Sequence, residues 1–260
     1  MKGIVLAGGL ATRLRPLTKV TNKHLLPIYN RPMIYYPIQN LVDAGIEEIL
    51  IVTGGNNAGD FLRLLGNGKE FGFKHLDYTY QEGEGGIADA LSLAEHFAEG
   101  EHIAVILGDN IYEKSFRSSV QTYLEHGRGA RVHLKKVKNP QRFGVPVLDG
   151  ARVVKIEEKP ELPQSDYAVT GIYLYDPQVF DIVRTLVPSG RGELEITDVN
   201  NAYIAAGEMT YAMVDGWWSD AGTFESLLRA NILVAAKHDP DAKELSRQAI
   251  VDAAAILESH

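Results

Sequence analysis

Apolar and amphipathic segments alternate along the first 110 residues of the chain. Short apolar segments bounded by glycine or charged residues predict buried strands, and longer segments with apolar positions on one face predict helices. Four strands and three helices are predicted in this way, at residues 2–6, 48–53, 75–80 and 102–107 and at residues 34–44, 57–65 and 87–98, respectively. Because alternating strands and helices form mostly parallel sheets covered on both faces, the pattern predicts an α/β fold with a Rossmann-like, mostly parallel sheet flanked by helices.

The pattern changes in the middle of the chain, where apolar and polar positions alternate with a period of two. Residues 144–157 predict a hairpin that turns at Asp149 and Gly150, because an Asp-Gly pair favours tight hairpin turns. Further strands are predicted at 131–137, 169–175 and 210–214, and further helices at 178–186, 194–206 and 223–237. These segments indicate an inserted β-region. Since no low-complexity linker divides the chain, we expect one domain over residues 1–238.

The last predicted element is an amphipathic helix at residues 241–257, inside a C-terminal segment of residues 239–260. Its apolar stripe can pack on the chain's own core or on a neighbouring subunit. The pattern leaves both alternatives open, and with them the oligomeric state.

Composition excludes several classes of function. The 260 residues contain no cysteine, which excludes disulfides and thiolate metal sites. No apolar run reaches the roughly 18–20 residues that span a bilayer, and the start of the chain does not fit a signal peptide, so we expect a cytoplasmic protein without a membrane partner. The net charge of −8 disfavours a nucleic-acid partner, since such proteins usually carry a basic surplus.

The charge is unevenly distributed. The first 42 residues contain no Asp or Glu, but they contain six basic residues: Lys2, Arg13, Arg15, Lys19, Lys23 and Arg31. A basic block in an acidic protein indicates local capture of a small anion, although a solvated basic surface would give the same pattern.

A glycine-rich segment follows the first predicted strand. Gly8 and Gly9 would let backbone N–H groups approach phosphate oxygens, Thr12 adds a hydroxyl, and Arg13 supplies a planar guanidinium suited to phosphate. The spacing is neither that of a dinucleotide fingerprint nor that of a Walker A loop, which argues against an oxidoreductase that uses a nicotinamide cofactor. A tight turn is the alternative explanation. Lys23 lies just beyond this segment and could contact a triphosphate or simply lie at the surface.

Three acidic positions could carry further chemistry. Asp109 follows a strongly apolar strand, and Asp220 precedes a helix. Mg²⁺ prefers one or two carboxylates together with phosphate oxygens and water, so these two residues could share one ion; a turn aspartate and a helix cap are the alternatives. Glu158 and Lys159 could bind a sugar hydroxyl and a phosphate, or form a solvated strand end.

The order of these motifs resembles the sugar-nucleotide pyrophosphorylase family over residues 1–233. The motifs are GGLATRLRP, NKHLLP, GDN, RFGV, EEKP, VTGIY, RGELEITD and WSDAGT. The resemblance implies a nucleotidyltransferase with a nucleotide-binding half at 1–115 and a sugar-phosphate-binding half at 116–222. It implies catalytic roles for Arg13, Lys23, Asp109 and Asp220, with Asp109 and Asp220 holding Mg²⁺.

The resemblance also implies two sets of binding residues. The nucleotide set is Leu6, Ala7, Gly8, Gly9, Thr12, Arg13, His24, Gln81, Gly86 and Asp109. The sugar-phosphate set is Gly144, Glu158, Lys159, Val169 and Arg191.

The motifs are most similar to those of the thymidylyltransferase branch of the family. The implied substrates are therefore dTTP, or another pyrimidine triphosphate, and a hexose 1-phosphate, in dTDP-sugar and polysaccharide synthesis, and the implied assembly is a homodimer or homotetramer. The alternatives are uridylyl or cytidylyl transfer, another sugar, or a non-catalytic regulatory homologue. The chain departs from the family pattern at Ala11, where glycine is usual, at His24, where glutamine is usual, and in its shorter C-terminus.

Overall fold

A seven-stranded sheet forms the centre of the chain in a computed structural model that describes residues 1–239, 241–242, 244 and 248. In spatial order, the strands are β12, β8, β11, β6, β1, β4 and β5. Their ranges are β1 Lys2–Ala7, β4 Glu48–Gly54, β5 His75–Gln81, β6 Ile103–Leu107, β8 Ala130–Lys136, β11 Tyr167–Tyr175 and β12 Met209–Met213. Both predicted halves of the chain contribute strands to this sheet.

The sheet is mostly parallel. Strand β1 pairs in parallel with β4 and β6, β4 with β5, and β8 with β12, whereas β11 runs antiparallel to both of its neighbours, β6 and β8. The carboxyl ends of β1, β4, β5 and β6 therefore meet at one edge, where ligands of open α/β sheets bind.

Helices cover both faces of the sheet. Their ranges are α1 Tyr35–Asp43, α2 Ala58–Leu65, α3 Ile87–Ser92, α4 Glu95–Ala98, α5 Arg117–His126, α6 Val179–Thr185, α7 Ile196–Ala205 and α8 Phe224–His238. Strand β1 shows why both faces need cover: Ile4 and Leu6 pack in one hydrophobic cluster, and Val5 and Ala7 pack in the opposite one. Successive strand side chains point to opposite faces, so an uninterrupted apolar strand must be buried on both sides.

Three two-stranded sheets lie outside the main sheet. They pair β2 Pro27–Ile28 with β3 Arg31–Pro32, β7 Asn110–Tyr112 with β13 Trp218–Asp220, and β9 Gly144–Asp149 with β10 Arg152–Glu158. The predicted hairpin with its turn at Asp149 and Gly150 is confirmed by the third pair. None of the helices in the described part of the chain has the length and apolar character that a bilayer crossing requires.

The predicted α/β fold is confirmed, but three details of the prediction are wrong. The single helix expected at 87–98 is two helices, α3 and α4. Between them Ala94 N donates to Leu91 O at 3.0 Å and Ser92 Oγ donates to Asp89 O at 2.7 Å, which tightens and ends α3. Helix α5 was not predicted, because its only buried side chains are Val120 and Tyr123. Strands β7 and β13 were also not predicted. The helix predicted at 241–257 falls largely outside the described residues.

Candidate active site

A cavity of about 540 Å³ opens at the edge of the sheet where β1, β5 and β6 end. All the predicted site residues line this cavity except Ala7 and Thr12. Ala7 is fully buried in the core, and its carbonyl accepts a hydrogen bond from Asn22 Nδ2 at 3.3 Å. Thr12 is exposed, at the start of a single 3₁₀ turn. The fold thus brings the two predicted binding sets to one cavity, although they are distant in sequence.

The glycine-rich segment enters the cavity directly after β1. Gly8 and Gly9 line the wall, and Ala11 adopts a left-handed backbone with φ 48° and ψ 47°. Left-handed backbone is unfavourable for a residue with a Cβ, which gives a physical reason why glycine suits position 11. Thr18 Oγ1 donates to Ala11 O at 2.8 Å and holds this conformation in place.

His24 lies beneath the cavity floor with only 1% of its surface exposed. Its backbone N–H and its ring Nδ1 both bond to Asn22 Oδ1, at 3.0 and 2.7 Å. Burial, with a smaller contribution from the positive charge of Lys23, lowers the pKa of His24 to about 3. The ring is therefore neutral at physiological pH and adds no charge to the site.

Asp109 and Asp220 meet because β7 pairs with β13. Asp220 lies opposite Asn110 in this pair, and Ala221 N donates to Asp109 O at 2.8 Å. A methyl group built on Gly222 would lie 3.4 Å from an Arg13 guanidinium nitrogen, 3.5 Å from Asp220 Oδ2 and 3.6 Å from Asp109 Oδ2. Two carboxylates and a guanidinium thus surround one point.

Lys23 completes this charged cluster. Its ammonium group lies 2.6 Å from Asp109 Oδ2, and Arg142 reaches to 4.0 Å from Asp220 Oδ2. Burial alone would raise the pKa of Asp109, but Lys23 and the hydrogen bonds from Lys23 and Asn110 outweigh burial and hold that pKa below its usual range. Burial, and then the negative charge of Asp109, raise the pKa of Asp220 despite the nearby cations.

The predicted sugar-phosphate residues line the same cavity. Glu158 Oε2 accepts a hydrogen bond from Thr197 Oγ1 at 2.7 Å, and Glu158 Oε1 lies 3.0 Å from Lys159 Nζ. A methyl built on Gly144 would be 3.5 Å from Glu158 Oε2, so glycine leaves this oxygen accessible. Arg191 lies 3.8 Å from Glu158 Oε1.

Arg191 is held by a carboxylate in this structure. It donates to both carboxylate oxygens of Glu195, at 2.8 and 2.9 Å. A role in phosphate binding would require this bidentate pair to open or to share its donors, whereas among the described residues Lys159 has a single contact, with Glu158 Oε1, to share.

Several cavity residues were missed by sequence reasoning. Each belongs to a quoted motif but was given no role: Asn110, Arg142, Glu195 and Thr197. Asn110 shows what the motif could not reveal. Its Oδ1 accepts from Trp218 Nε1 at 2.7 Å and from Gly171 N at 3.1 Å, so it ties three separate segments together beside Asp109.

Comparison with known proteins supports one family. A family model described as nucleotidyl transferase matches residues 2–237, almost the whole chain. The chain belongs to the nucleotidyl transferase family. Its relatives within that family include the glucose-1-phosphate thymidylyltransferase of Neisseria meningitidis serogroup A, which is 44% identical over 88% of this chain and 81% of its own length. Another relative of the same description, from Actinoplanes sp., is 45% identical over 88% of this chain and 77% of its own length.

A solved nucleotidyl transferase structure shares the fold. It is a Bacillus anthracis protein provisionally assigned as a glucose-1-phosphate thymidylyltransferase and crystallised with sucrose. It is 51% identical, has a TM-score of 0.86, and is matched over 90% of this chain and 94% of its own chain.

Proposed function

We propose that this nucleotidyl transferase joins dTTP to glucose 1-phosphate, giving dTDP-glucose and pyrophosphate in a Mg²⁺-dependent reaction. The observation that carries the proposal is the arrangement around Gly222, where Arg13, Asp109 and Asp220 surround one point in the same cavity as the glycine-rich segment. The names of relatives that are 42–45% identical over most of the chain support the choice of substrates.

Asp109 and Asp220 fit a magnesium ion in chemistry and number. Both offer carboxylate oxygens, and burial together with the negative charge of Asp109 raises the pKa of Asp220, so a bound cation would favour its ionised form. Among the described residues, no group of three or more His, Asp or Glu side chains could hold an ion alone. Mg²⁺ commonly uses one or two carboxylates and completes its coordination with substrate phosphates and water. When bound, Mg²⁺ would supply positive charge that stabilises the charge developing on the phosphates.

The proposed reaction is a single in-line displacement. An oxygen of the sugar phosphate forms a bond to the α-phosphorus of dTTP, and the bond from that phosphorus to the bridging oxygen of pyrophosphate breaks on the opposite side. The attacking oxygen is already anionic, so the chain needs no general base. The obstacle is repulsion between two polyanions, which positioned cations reduce.

The two predicted sets of binding residues divide this work. Arg13 and Lys23 neutralise the triphosphate, and Lys159, with Arg191 once it is released from Glu195, binds the phosphate of the sugar. Glu158, positioned by Thr197, accepts hydrogen bonds from sugar hydroxyls beside Gly144 and Val169, and Gln81 and Gly86 contact the base. His24, being neutral, contributes shape rather than charge to the nucleotide pocket.

A pyrophosphate-release panel tests the proposal. Purified chain is assayed with dTTP, UTP, CTP, ATP and GTP, each crossed with glucose, galactose and mannose 1-phosphates, with and without Mg²⁺. The expected result is highest kcat/KM for dTTP with glucose 1-phosphate and no turnover after chelation of the metal. A higher kcat/KM for another triphosphate and sugar 1-phosphate would show that dTTP and glucose 1-phosphate are not the preferred substrates. Binding without turnover in every combination would favour a regulatory protein.

A further inference from the structure

Gln81, the last residue of β5, is 95% buried at the edge of the cavity. Its Nε2 donates to Gly86 O at 3.0 Å and to Asp89 Oδ2 at 2.7 Å. A carbonyl and a carboxylate only accept hydrogen bonds, so the atom between them must be the amide nitrogen and not the amide oxygen. Both N–H groups of Gln81 are therefore used inside the protein.

The amide oxygen of Gln81 consequently faces the other way, towards the glycine-rich segment. A methyl group built on Gly8 would lie 2.9 Å from Oε1, so this oxygen occupies the space beside Gly8 in the cavity wall. In the part of the chain that the structure describes, no donor bonds to Oε1. The cavity thus presents one acceptor of fixed orientation at this position.

Asp89 is placed specifically to hold this orientation. It lies in the first turn of α3 and is not part of the cavity wall. A methyl group built on Gly85 would overlap the Asp89 carboxylate, so Gly85 leaves the space that this carboxylate occupies. Gly86, which begins the helix with φ 98°, supplies the second acceptor. Asp89 therefore lies outside the cavity wall and contacts Gln81, which is part of that wall.

We propose that Asp89 is a positioning residue that makes the chain select pyrimidines with an N–H at ring position 3. Thymine and uracil carry that N–H and can donate it to Gln81 Oε1. Cytosine has a lone pair at the same position, so the two acceptors would face each other. This inference rests on the proposed function, because it assumes that the base binds beside Gln81.

The size of the selectivity follows from the fixed geometry. A buried acceptor left without a donor typically lowers affinity between about 5-fold and 150-fold. If the amide of Gln81 could rotate so that its oxygen and nitrogen exchanged places, its N–H would meet the cytosine lone pair. The loss of affinity for cytosine would then be smaller. Asp89 disfavours this rotation, because the rotated amide would direct its oxygen at the Asp89 carboxylate.

The test compares dUTP with dCTP, since these triphosphates differ only at ring positions 3 and 4. Pyrophosphate release and equilibrium binding by calorimetry are measured for wild type, Asp89→Leu and Asp89→Asn. Leucine keeps the branched shape of aspartate but removes the acceptor, whereas asparagine retains one. Asp181→Leu is the matched control, because Asp181 also lies in the first turn of a helix, α6, but is 82% exposed and outside the cavity.

Wild type is expected to favour dUTP over dCTP by at least about 5-fold, both in kcat/KM and in Kd. Asp89→Leu should lower this ratio, because Gly86 O alone then holds the amide, while Asp89→Asn and Asp181→Leu should retain most of it. Asp89→Ala gives the same comparison if the leucine variant does not fold.

An unchanged ratio in Asp89→Leu would overturn the inference, as would an equal loss of affinity and kcat/KM for dUTP and dCTP. A merely structural role of Asp89 would lower these values alike for both triphosphates. The absence of any pyrimidine preference in wild-type binding would also overturn it. If wild type binds dUTP more tightly than dCTP but turns over neither, the proposed reaction is refuted. The role of Asp89 is then decided by the Kd ratios of the variants alone.

Discussion

Replacing Asp220 by asparagine should abolish most activity without destabilising the fold. The Oδ2 atoms of Asp109 and Asp220 lie 3.6 and 3.5 Å from one point, the methyl position on Gly222, and are therefore at most about 7 Å apart. At an effective dielectric constant of about 20, two like charges at that distance repel by roughly 2 kcal/mol. Burial raises the pKa of Asp220 most, repulsion from Asp109 adds to it, and Arg142, Arg13 and Lys23 offset only part of the two effects. Folding therefore favours a neutral side chain at this position.

The two substitutions should change the thermal stability of the chain in opposite directions. Asp220→Asn should leave the Tm unchanged or raise it, with about 1 kcal/mol corresponding to a shift of roughly 2–4 °C. Asp109→Asn should lower the Tm, because it removes the partner of Lys23, whose side chain is only 17% exposed. Breaking a partly buried ion pair costs roughly 1–3 kcal/mol, less than the loss for a fully buried pair.

Activity should fall in both variants. Removal of one preorganised electrostatic group typically lowers kcat at least about 100-fold. The assay is pyrophosphate release under saturating substrates, paired with thermal unfolding of the same preparations. Asp181→Asn, at an exposed position outside the cavity lining, serves as the control for loss of a carboxylate. Near-normal kcat in both active-site variants would refute the metal assignment, and a large fall in Tm for Asp220→Asn would refute the electrostatic reasoning.

Three further predictions concern single side chains. Gln81→Ala should reduce the selectivity among dTTP, UTP and CTP, measured as kcat/KM ratios; unchanged ratios would contradict its contact with the base. Ala11→Gly should leave the free energy of unfolding in urea unchanged or raise it by up to ~1 kcal/mol, because glycine relieves the left-handed backbone but loses more entropy on folding. Burial lowers the pKa of His133 to about 4, so the unfolded chain takes up this proton near pH 6.5 and the folded chain does not. Stability should therefore fall as the pH drops from about 6.5 towards 4, and His133→Gln should show a shallower fall in Tm over that window; an identical slope would contradict the assignment.

The sheet could be predicted from sequence because its strands are buried on both faces. Strand β1 has six buried positions in succession, so its apolar run is a strong and local signal. The same signal locates Gly8 and Asp109, since each follows the end of a predicted strand. Parallel strands that share an edge then bring these two residues together without any knowledge of tertiary contacts.

The pairing of β7 with β13 could not be predicted in the same way. Each strand has three residues, too few for a periodic pattern, and their partners are about 108 residues apart. Asp220 reaches Asp109 only through this pairing, so its alternative role as a helix cap stayed open in the sequence. Helix α5 escaped prediction for a related reason, because only Val120 and Tyr123 are buried in its ten residues.

Two of the three departures from the family pattern, Ala11 and His24, affect the framework of the site rather than its charges. Ala11 alters the backbone cost of a turn, and His24 is a neutral ring packed under the cavity, where a methyl built on Gly108 would lie 2.7 Å from its Cδ2. The charged groups are different, because Asp220 remains in an environment that raises its pKa. Burial and the charge of Asp109 both favour a neutral side chain at position 220, so an ionised carboxylate there lowers the stability of the folded chain. We therefore expect the carboxylate of Asp220 to serve a ligand in the cavity rather than the stability of the fold.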